Sequence, residues 1–174
     1  KKSKSSKVLT MKNFFINDLL PEGFKVLLPT EAHKEESVSR IILDLFFNNG
    51  YNLVKTPMIE YEDSTSTNTL KYLNNNSFML MEPETKKVLI LRSDITFQVA
   101  KLASTKLKHY CSPIRLAYSG EVIRNTKNSY QTDRQFKQIG AEVLGGAPNT
   151  SLIEILSITT DILLNFKVNN IDGL

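Results

Sequence analysis

Six polar side chains lie at the ends of, or within, segments that are otherwise patterned as buried strands. All of them fall between residues 91 and 142: Arg92, Asp94, Thr96, Arg124, Gln138 and Glu142. A polar group in a protein interior costs free energy unless it is paired or meets a ligand. The stretch 91–142 is therefore the candidate binding site of this chain.

The types of these residues suit an amino acid and a phosphate. Asp94 and Glu142 supply acceptors for an ammonium group, at about 1.5–3 kcal/mol for each charge-assisted hydrogen bond. The amide of Gln138 both donates and accepts, which suits an α-carboxylate or an imidazole. Arg124 lies beside a polar loop, where a cluster of cations suits a phosphate. Three further cations flank or occupy that loop: Lys127, Arg134 and Lys137.

Most of these residues also have a structural interpretation. Asp94 is a good helix cap, and this role is compatible with ligand binding. Glu142 is equally well read as an exposed strand residue, and Gln138 points outward if the strand alternates the other way. Arg124 and Glu121 could instead form a structural ion pair. The lysines Lys127 and Lys137 could simply belong to a solvated face.

The clearest helix in the sequence precedes Gly50, which ends it. Thr30 is the predicted N-cap, and Glu31 suits the first turn. Apolar residues recur at helical spacing at Val38, Ile41, Ile42, Leu45 and Phe46. We interpret the stripe Val38, Ile41 and Leu45 as core, part of which is available to an interface.

The rest of the chain mixes strands and helices. The pattern predicts strands at 51–55, 78–81, 88–91, 114–118, 122–124 and 136–144, with 78–81 and 88–91 joined as a hairpin. A helix over about 95–107 has Ser93 or Asp94 as its predicted cap, and a last helix starts at the capping box of Ser151 and Glu154. Strands in hairpin order between helices favour an α+β fold, an antiparallel sheet flanked by helices.

Length and composition indicate one globular domain. The chain has 174 residues, of which 41% are hydrophobic, so it is long enough to bury a core. We expect residues 1–12 to be a disordered tail and residues 13–174 to form the domain. The net charge of +4 owes much to four lysines among the first seven residues, so charge alone is a weak indication of a nucleic-acid partner.

The cysteine and histidine content restricts the chemistry further. Cys111 is the single cysteine, which excludes an internal disulfide and a multi-cysteine zinc site. His33 and His109 have no second ligand at useful spacing, so we expect no metal. No apolar run of 18 residues occurs. These features favour a cytoplasmic protein without a membrane partner.

Several segments, taken in order, resemble the catalytic core of class II aminoacyl-tRNA synthetases of the histidyl-tRNA synthetase lineage. The resemblance covers about residues 20–164. The first helix with Gly50-Tyr51, Pro57 and Glu60 resembles the first class II motif, a dimer-forming helix and strand. Residues 91–96 (LRSDIT) resemble the segment that holds the amino group of histidine. Arg124 and residues 138–142 (QIGAE) resemble parts of the second class II motif.

This resemblance implies roles for individual residues. Histidine would be held by Asp94, Thr96, Gln138 and Glu142, and Arg124 would meet a nucleotide phosphate. The resemblance also implies a homodimer formed through the first-motif helix and strand. It further implies a catalytic-core domain that is incomplete at its C-terminal end.

The sequence also departs from the synthetase pattern. The glutamate that follows the second-motif arginine by two residues is replaced by Thr126. Asp94 stands in place of the usual glutamate, and Phe97 in place of a frequent proline. The third class II motif does not occur within the 174 residues. A chain without these groups lacks the means to orient ATP for adenylation.

The sequence is therefore most similar to the regulatory subunits of ATP phosphoribosyltransferase, the synthetase-like paralogues of histidine biosynthesis. This similarity implies a non-catalytic protein that binds histidine in a degenerate pocket, needs no cofactor and acts on a short catalytic subunit. The alternative is the N-terminal part of a histidyl-tRNA synthetase, a ligase that uses ATP, magnesium and tRNA. A third interpretation, a basic nucleic-acid-binding module, rests only on the N-terminal lysines and the loop cations.

Overall fold

The structure, a computed structural model, describes residues 20–62, 76–125 and 132–167. These residues contain the helices α1 (Pro29–Asn48), α2 (Thr96–Thr105) and α3 (Pro148–Asn165). They also contain the strands β1 (Asn52–Leu53), β2 (Ile59–Tyr61), β3 (Met79–Met81), β4 (Val88–Leu91), β5 (Ile114–Ile123) and β6 (Gln135–Leu144). The predicted tail 1–12, Thr126 and Lys127 lie outside the described residues. In the parts that the structure describes, none of the helices has the length and apolar character needed to cross a membrane.

A long antiparallel ladder forms the centre of the fold. β5 and β6 pair from Ile114 opposite Leu144 to Ile123 opposite Gln135. β1 adds to the other edge of β5 in parallel orientation. Because side chains alternate across a strand, residues 138, 140 and 142 share one face with their partners 120, 118 and 116.

Apolar side chains cover both faces of this ladder. On one face, Leu116, Tyr118 and Val122 of β5 form a cluster with Ile95 and Val99 at the start of α2. The opposite face packs on α1 and α3 through Phe46, Tyr51, Ala117 and Ile158. Full burial of an aliphatic side chain contributes about 1.5–3 kcal/mol, so the ladder is held firmly from both sides. This support allows it to position polar side chains.

The α+β class is confirmed, with helices beside strands that pair in antiparallel orientation except for β1. The predicted hairpin is confirmed as β3 and β4, with Met79 opposite Ile90. β2 pairs with the other edge of β4, so the described strands form two three-stranded sheets, β1-β5-β6 and β2-β4-β3. A period of two identifies a strand but not its partner, because pairing is non-local. The two predicted strands at 114–118 and 122–124 are one continuous strand, β5.

Two helices begin earlier than their predicted caps. α1 begins at Pro29, so Thr30 lies inside the first turn and is not the N-cap. α3 begins at Pro148, so Ser151 and Glu154 do not form a capping box. A proline at the start of a helix loses no hydrogen bond and already has a helical φ, which favours these starting points.

The buried face of α1 differs from the predicted stripe. Ile42, Leu43 and Phe46 pack towards the sheet, whereas Val38 and Ile41 are 38% and 42% exposed. The prediction that Val38 and Ile41 belong to the core is therefore wrong. Both stripes have helical spacing, and only the packing of α1 on the sheet distinguishes them.

Candidate functional site

Asp94 lies between β4 and α2 and makes contacts with both of its carboxylate oxygens. Its Oδ1 accepts a hydrogen bond from the backbone N–H of Thr96 at 2.7 Å. Its Oδ2 accepts one from Nε2 of Gln138 at 3.2 Å and lies 3.8 Å from Nη2 of Arg124. Asp94 therefore supports the start of α2 and also belongs to the polar cluster. The N-cap residue itself is Ile95, and neither Ser93 nor Asp94 occupies that position.

Gln138 faces the cluster and uses both ends of its amide. The register of β6 places it opposite Gly120. Its Oε1 accepts a hydrogen bond from the backbone N–H of Ile95 at 3.0 Å, while its nitrogen donates to Asp94. The outward-pointing alternative is therefore wrong.

The hydroxyl of Tyr118 connects Thr96 with Glu142. It lies 2.9 Å from Oγ1 of Thr96 and donates to Oε1 of Glu142 at 3.3 Å. The ring of Tyr118 fills the space beside Gly140, where an added Cβ would lie 2.5 Å from Cζ of the ring. Glu142 is half-buried and belongs to the cluster, so its interpretation as an exposed strand residue is wrong.

Burial dominates the electrostatics around Tyr118. It raises the pKa of Tyr118 to about 12, and it raises the pKa of Glu142 above its ordinary value. The charge of Asp94 acts in the same direction on both groups. The charge of Asp94 opposes the ionisation of Glu142, and a cationic ligand that donates to both carboxyl groups would relieve this repulsion.

Arg124 lies at the edge of the same cluster. Its Nε donates to the backbone carbonyl of Ser93 at 3.1 Å, and its guanidinium lies 5.0 Å from the ring centroid of Phe136. Its ion-pair partner is Asp94 rather than Glu121, so the structural pair considered from the sequence is not the one that forms. Arg124 therefore places a fixed cation next to the acidic half of the site, which consists of Asp94 and Glu142.

Arg134 contacts backbone groups rather than the side chains of the polar cluster around Asp94. Its Nη2 donates to the backbone carbonyl of Asn125 at 2.7 Å, and its Nε donates to that of Arg124 at 3.3 Å. The guanidinium also lies 4.5 Å from the ring centroid of Phe78. These contacts hold the backbone beside Arg124.

Lys137 is directed towards α1. Its Nζ lies 3.3 Å from Oε1 of Glu35 and 3.2 Å from Oε2 of Glu36. Only 18% of its side chain is exposed. The solvated-face interpretation of Lys137 is therefore wrong, and so is its place in a phosphate-binding cluster.

Arg92 supports the sheets and does not join the cluster of Asp94 contacts. Its Nε donates to the backbone carbonyl of Glu121 at 2.7 Å, and its Nη1 donates to that of Thr56 at 2.8 Å. Burial lowers its pKa. The guanidinium crosses Gly120, where any Cβ would overlap it. Arg92 thereby connects the two sheets.

Tyr118 and Gly140 are the site residues to which sequence reasoning assigned no role. A glycine within a strand often marks the close approach of another group. That signal was present at Gly140, but the identity of the group depended on the register that places Tyr118 opposite it. The five residues predicted for the site, by contrast, are brought together by the structure: Asp94, Thr96, Arg124, Gln138 and Glu142.

Solved structures share this fold. A chain from Bacillus halodurans, described as an ATP phosphoribosyltransferase regulatory subunit/histidyl-tRNA synthetase, aligns with a TM-score of 0.70 at 25% identity, over 87% of this chain and 38% of that one. A histidyl-tRNA synthetase from Nostoc sp. PCC 7120 aligns with a TM-score of 0.71 at 22% identity, over 86% of this chain and 34% of that one. The fold is therefore that of a class II aminoacyl-tRNA synthetase core.

The sequence comparison identifies the family within that class. A family model described as histidyl-tRNA synthetase matches residues 23–172. The chain belongs to the histidyl-tRNA synthetase family.

Similar curated proteins are named ATP phosphoribosyltransferase regulatory subunit. One from Rhodospirillum rubrum is 37% identical over 145 residues, which are 83% of this chain and 38% of the relative. One from Pseudomonas putida (strain KT2440) is 38% identical over 140 residues, 80% of this chain and 35% of the relative. The chain thus spans well under half the length of these relatives. The resemblance predicted from the sequence is confirmed, and the roles of individual site residues stay predictions.

Proposed function

We propose that this chain is the histidine-binding part of a regulatory subunit of ATP phosphoribosyltransferase. The observation that carries the proposal is the convergence of Asp94, Thr96, Gln138 and Glu142 on one face of the β5–β6 ladder. The names of the relatives that are 37% and 38% identical support the regulatory role.

The geometry of the cluster supports an α-amino acid as the ligand. The ammonium group binds between Asp94 and Glu142, with the hydroxyl of Thr96 close by. Gln138 exchanges its present hydrogen bond to Asp94 for one to the ligand. Arg124 lies where the anionic group of the ligand binds, and its guanidinium donates to a carboxylate or a phosphate group. No metal or cofactor takes part in this binding.

In the proposed role, the protein does not form an aminoacyl-adenylate. Thr126 replaces the acidic residue that the second class II motif carries, and Arg134 and Lys137 are held by protein groups. The alternative is the N-terminal part of a histidyl-tRNA synthetase with ATP, magnesium and tRNA as partners. The description of the matching family model favours this alternative.

Histidine occupancy is proposed to act on a short catalytic subunit in the cytoplasm. Coupling between two binding events is reciprocal and typically about 1–3 kcal/mol. The catalytic subunit should therefore change the histidine affinity of this chain by the same factor by which histidine changes the affinity of the complex. Two chains associate through α1 and β1, which expose Val38, Ile41 and Leu53.

The proposal is tested by thermal unfolding of the 174-residue chain with L-histidine and, separately, with ATP and magnesium. Histidine at about 100 times its dissociation constant should add about 2.7 kcal/mol to the free energy of unfolding. Histidinol, which keeps the amine and lacks the carboxylate, should bind more weakly. Asp94→Asn should lose most of this stabilisation. Asp161→Asn on the exposed side of α3 removes the same charge and serves as the control.

The two ligands distinguish the two functions. Stabilisation by histidine without stabilisation by ATP supports the regulatory role. Stabilisation by ATP and magnesium supports the synthetase alternative. A chain that responds to neither ligand would contradict the binding site proposed here.

A further inference from the structure

The backbone at Arg124, directly after β5, is hydrogen-bonded to Arg134, directly before β6. The N–H of Arg124 donates to the carbonyl of Arg134 at 2.8 Å. In return, the guanidinium of Arg134 donates to the carbonyls of Asn125 and Arg124. Three hydrogen bonds therefore join the end of β5 to the residue that precedes β6.

Arg134 is itself held by the N-terminal segment 21–25. Its backbone N–H donates to the carbonyl of Gly23 at 2.7 Å. Gly23 has a φ of +84°, and a Cβ at this position would lie 2.5 Å from Cγ of Arg134. A residue larger than glycine at position 23 would therefore displace the Arg134 side chain.

Two further contacts connect the same segments. The rings of Phe24 and Phe78 meet edge-to-face at 6.0 Å between centroids, and the guanidinium of Arg134 lies over Phe78. Lys25 pairs with Asp133 at 2.6 Å. The segment 21–25, which we call the strap, thus contacts both Arg134 and the ring on which Arg134 rests.

We infer that Arg134 is a positioning residue for Arg124, and that the strap sets the geometry of the anion-binding end of the site. The chemistry supports this division of roles. The guanidinium of Arg134 donates to two carbonyls of the backbone next to Arg124. That of Arg124 donates to the carbonyl of Ser93 through Nε alone, and its Nη2 lies beside Asp94 in the cluster. The rigid fork of an arginine donates to both carbonyls from two fixed nitrogens, whereas a lysine has a single nitrogen on a flexible stem.

This inference rests on the proposed function of Arg124 as the ligand of a phosphate-type anion. Its probe is inorganic pyrophosphate, and L-histidine is titrated in parallel as the probe of the acidic half of the site. Arg134→Gln should weaken pyrophosphate binding by about tenfold or more, because a misplaced Arg124 loses charge-assisted hydrogen bonds to the anion. Histidine affinity should fall by a smaller factor than pyrophosphate affinity, because the contacts of the ammonium group with Asp94 and Glu142 remain.

Gly23 in the strap has a matched control in Gly50, which lies outside the strap. Gly23 and Gly50 both have positive φ, +84° and +81°, but an added Cβ at Gly50 meets no atom within 4 Å. Gly23→Ala and Gly50→Ala therefore introduce similar backbone strain. Only Gly23→Ala should weaken pyrophosphate binding. This pair keeps the test decisive if Arg134→Gln does not fold.

Three results would overturn the inference. One is pyrophosphate binding that is lost in Arg124→Gln but unchanged in Arg134→Gln and Gly23→Ala. Another is full rescue by Arg134→Lys, which would mean that charge alone matters and the fork does not. The third is a wild-type chain that does not bind pyrophosphate, or an Arg124→Gln variant that binds it as tightly as the wild type. That third result also removes the anion site from the proposed function, while the histidine titration tests the acidic half separately.

Discussion

Oδ2 of Asp94 and Nη2 of Arg124 lie 3.8 Å apart, and this ion pair joins the acidic and basic halves of the polar cluster. The contact is long for an ion pair and the Arg124 side chain is 34% exposed, so we expect a small contribution to stability. In the proposed function, an ammonium group at Asp94 and an anion at Arg124 each replace a partner in this pair. We therefore expect the two binding events to be coupled through the direct contact.

Asp94→Asn should separate the helix-supporting role of Asp94 from its ligand-binding role. Asparagine keeps an acceptor for the N–H of Thr96 but has no charge for an ammonium group. We expect histidine affinity to fall about 10- to 100-fold, with the free energy of unfolding changed by less than about 1 kcal/mol. Calorimetric titration and urea denaturation measure the two quantities. Unchanged affinity in a folded variant would remove Asp94 from the site.

Glu142→Gln should stabilise the chain at neutral pH. Burial raises the pKa of Glu142, and the groups that face it are Tyr118, Thr96 and Asp94. A raised pKa means that the stabilisation is fully present below the ordinary value near 4.3 and is lost as the pH rises through the higher folded value. The variant should therefore gain about 1 kcal/mol or less at pH 7, after solvent screening, and nothing near pH 4. Denaturation curves at both pH values provide the measurement, and a destabilised variant at pH 7 would contradict it.

Glu154→Gln should show the opposite pH dependence. Arg115 donates to both carboxylate oxygens of Glu154, at 2.7 and 2.8 Å, and lowers its pKa. Tyr51 donates to the same carboxylate at 2.8 Å. The stabilisation is thus present at neutral pH and is lost as the pH falls below the ordinary value through the folded one. The variant should unfold a few degrees earlier at pH 7. Because α3 packs on the face opposite the cluster, histidine affinity should not change, and a change would show that the two faces are coupled.

Gly140→Ala should displace Tyr118. The added Cβ overlaps the ring and hydroxyl of Tyr118, and such overpacking typically costs about 1–3 kcal/mol. The hydroxyl would then no longer connect Thr96 with Glu142, so histidine binding should weaken together with stability. Tyr118→Phe keeps the ring and removes only the hydroxyl, which makes it the matched comparison in the same thermal-shift titration. Normal stability in Gly140→Ala would mean that the tyrosine moves without cost.

Ile41→Asp should prevent association of two chains without unfolding either one. Ile41 is 42% exposed on α1, so the substitution removes little core packing. Leu156→Asp on α3, where the leucine is 54% exposed, is the matched control for an added surface charge. Sedimentation velocity over a range of concentrations measures the assembly. A dimer that survives Ile41→Asp but not Leu156→Asp would place the interface on α3.

Local signals in the sequence predicted most of the elements. The hairpin of β3 and β4, the strand β6 and the helix α2 follow from periodicity and turn residues, which act over a few positions. The helix starts were less accurate. At α1 and α3 the prolines at 29 and 148 competed with the polar caps at Thr30 and Ser151, and the helices begin at the prolines.

The residue types by themselves indicated most side chains of the candidate site, because strand-end carboxylates, an amide and an arginine need partners in an interior. They also included Arg92, which lies outside the cluster, and assigned no role to Tyr118. Only the tertiary structure decided how the side chains are used. The β5–β6 register turned Gln138 inward and set Tyr118 beside Gly140, and packing on α1 took Lys137 away from the phosphate side. These outcomes depend on contacts between residues far apart in sequence, whose register and packing no local pattern encodes.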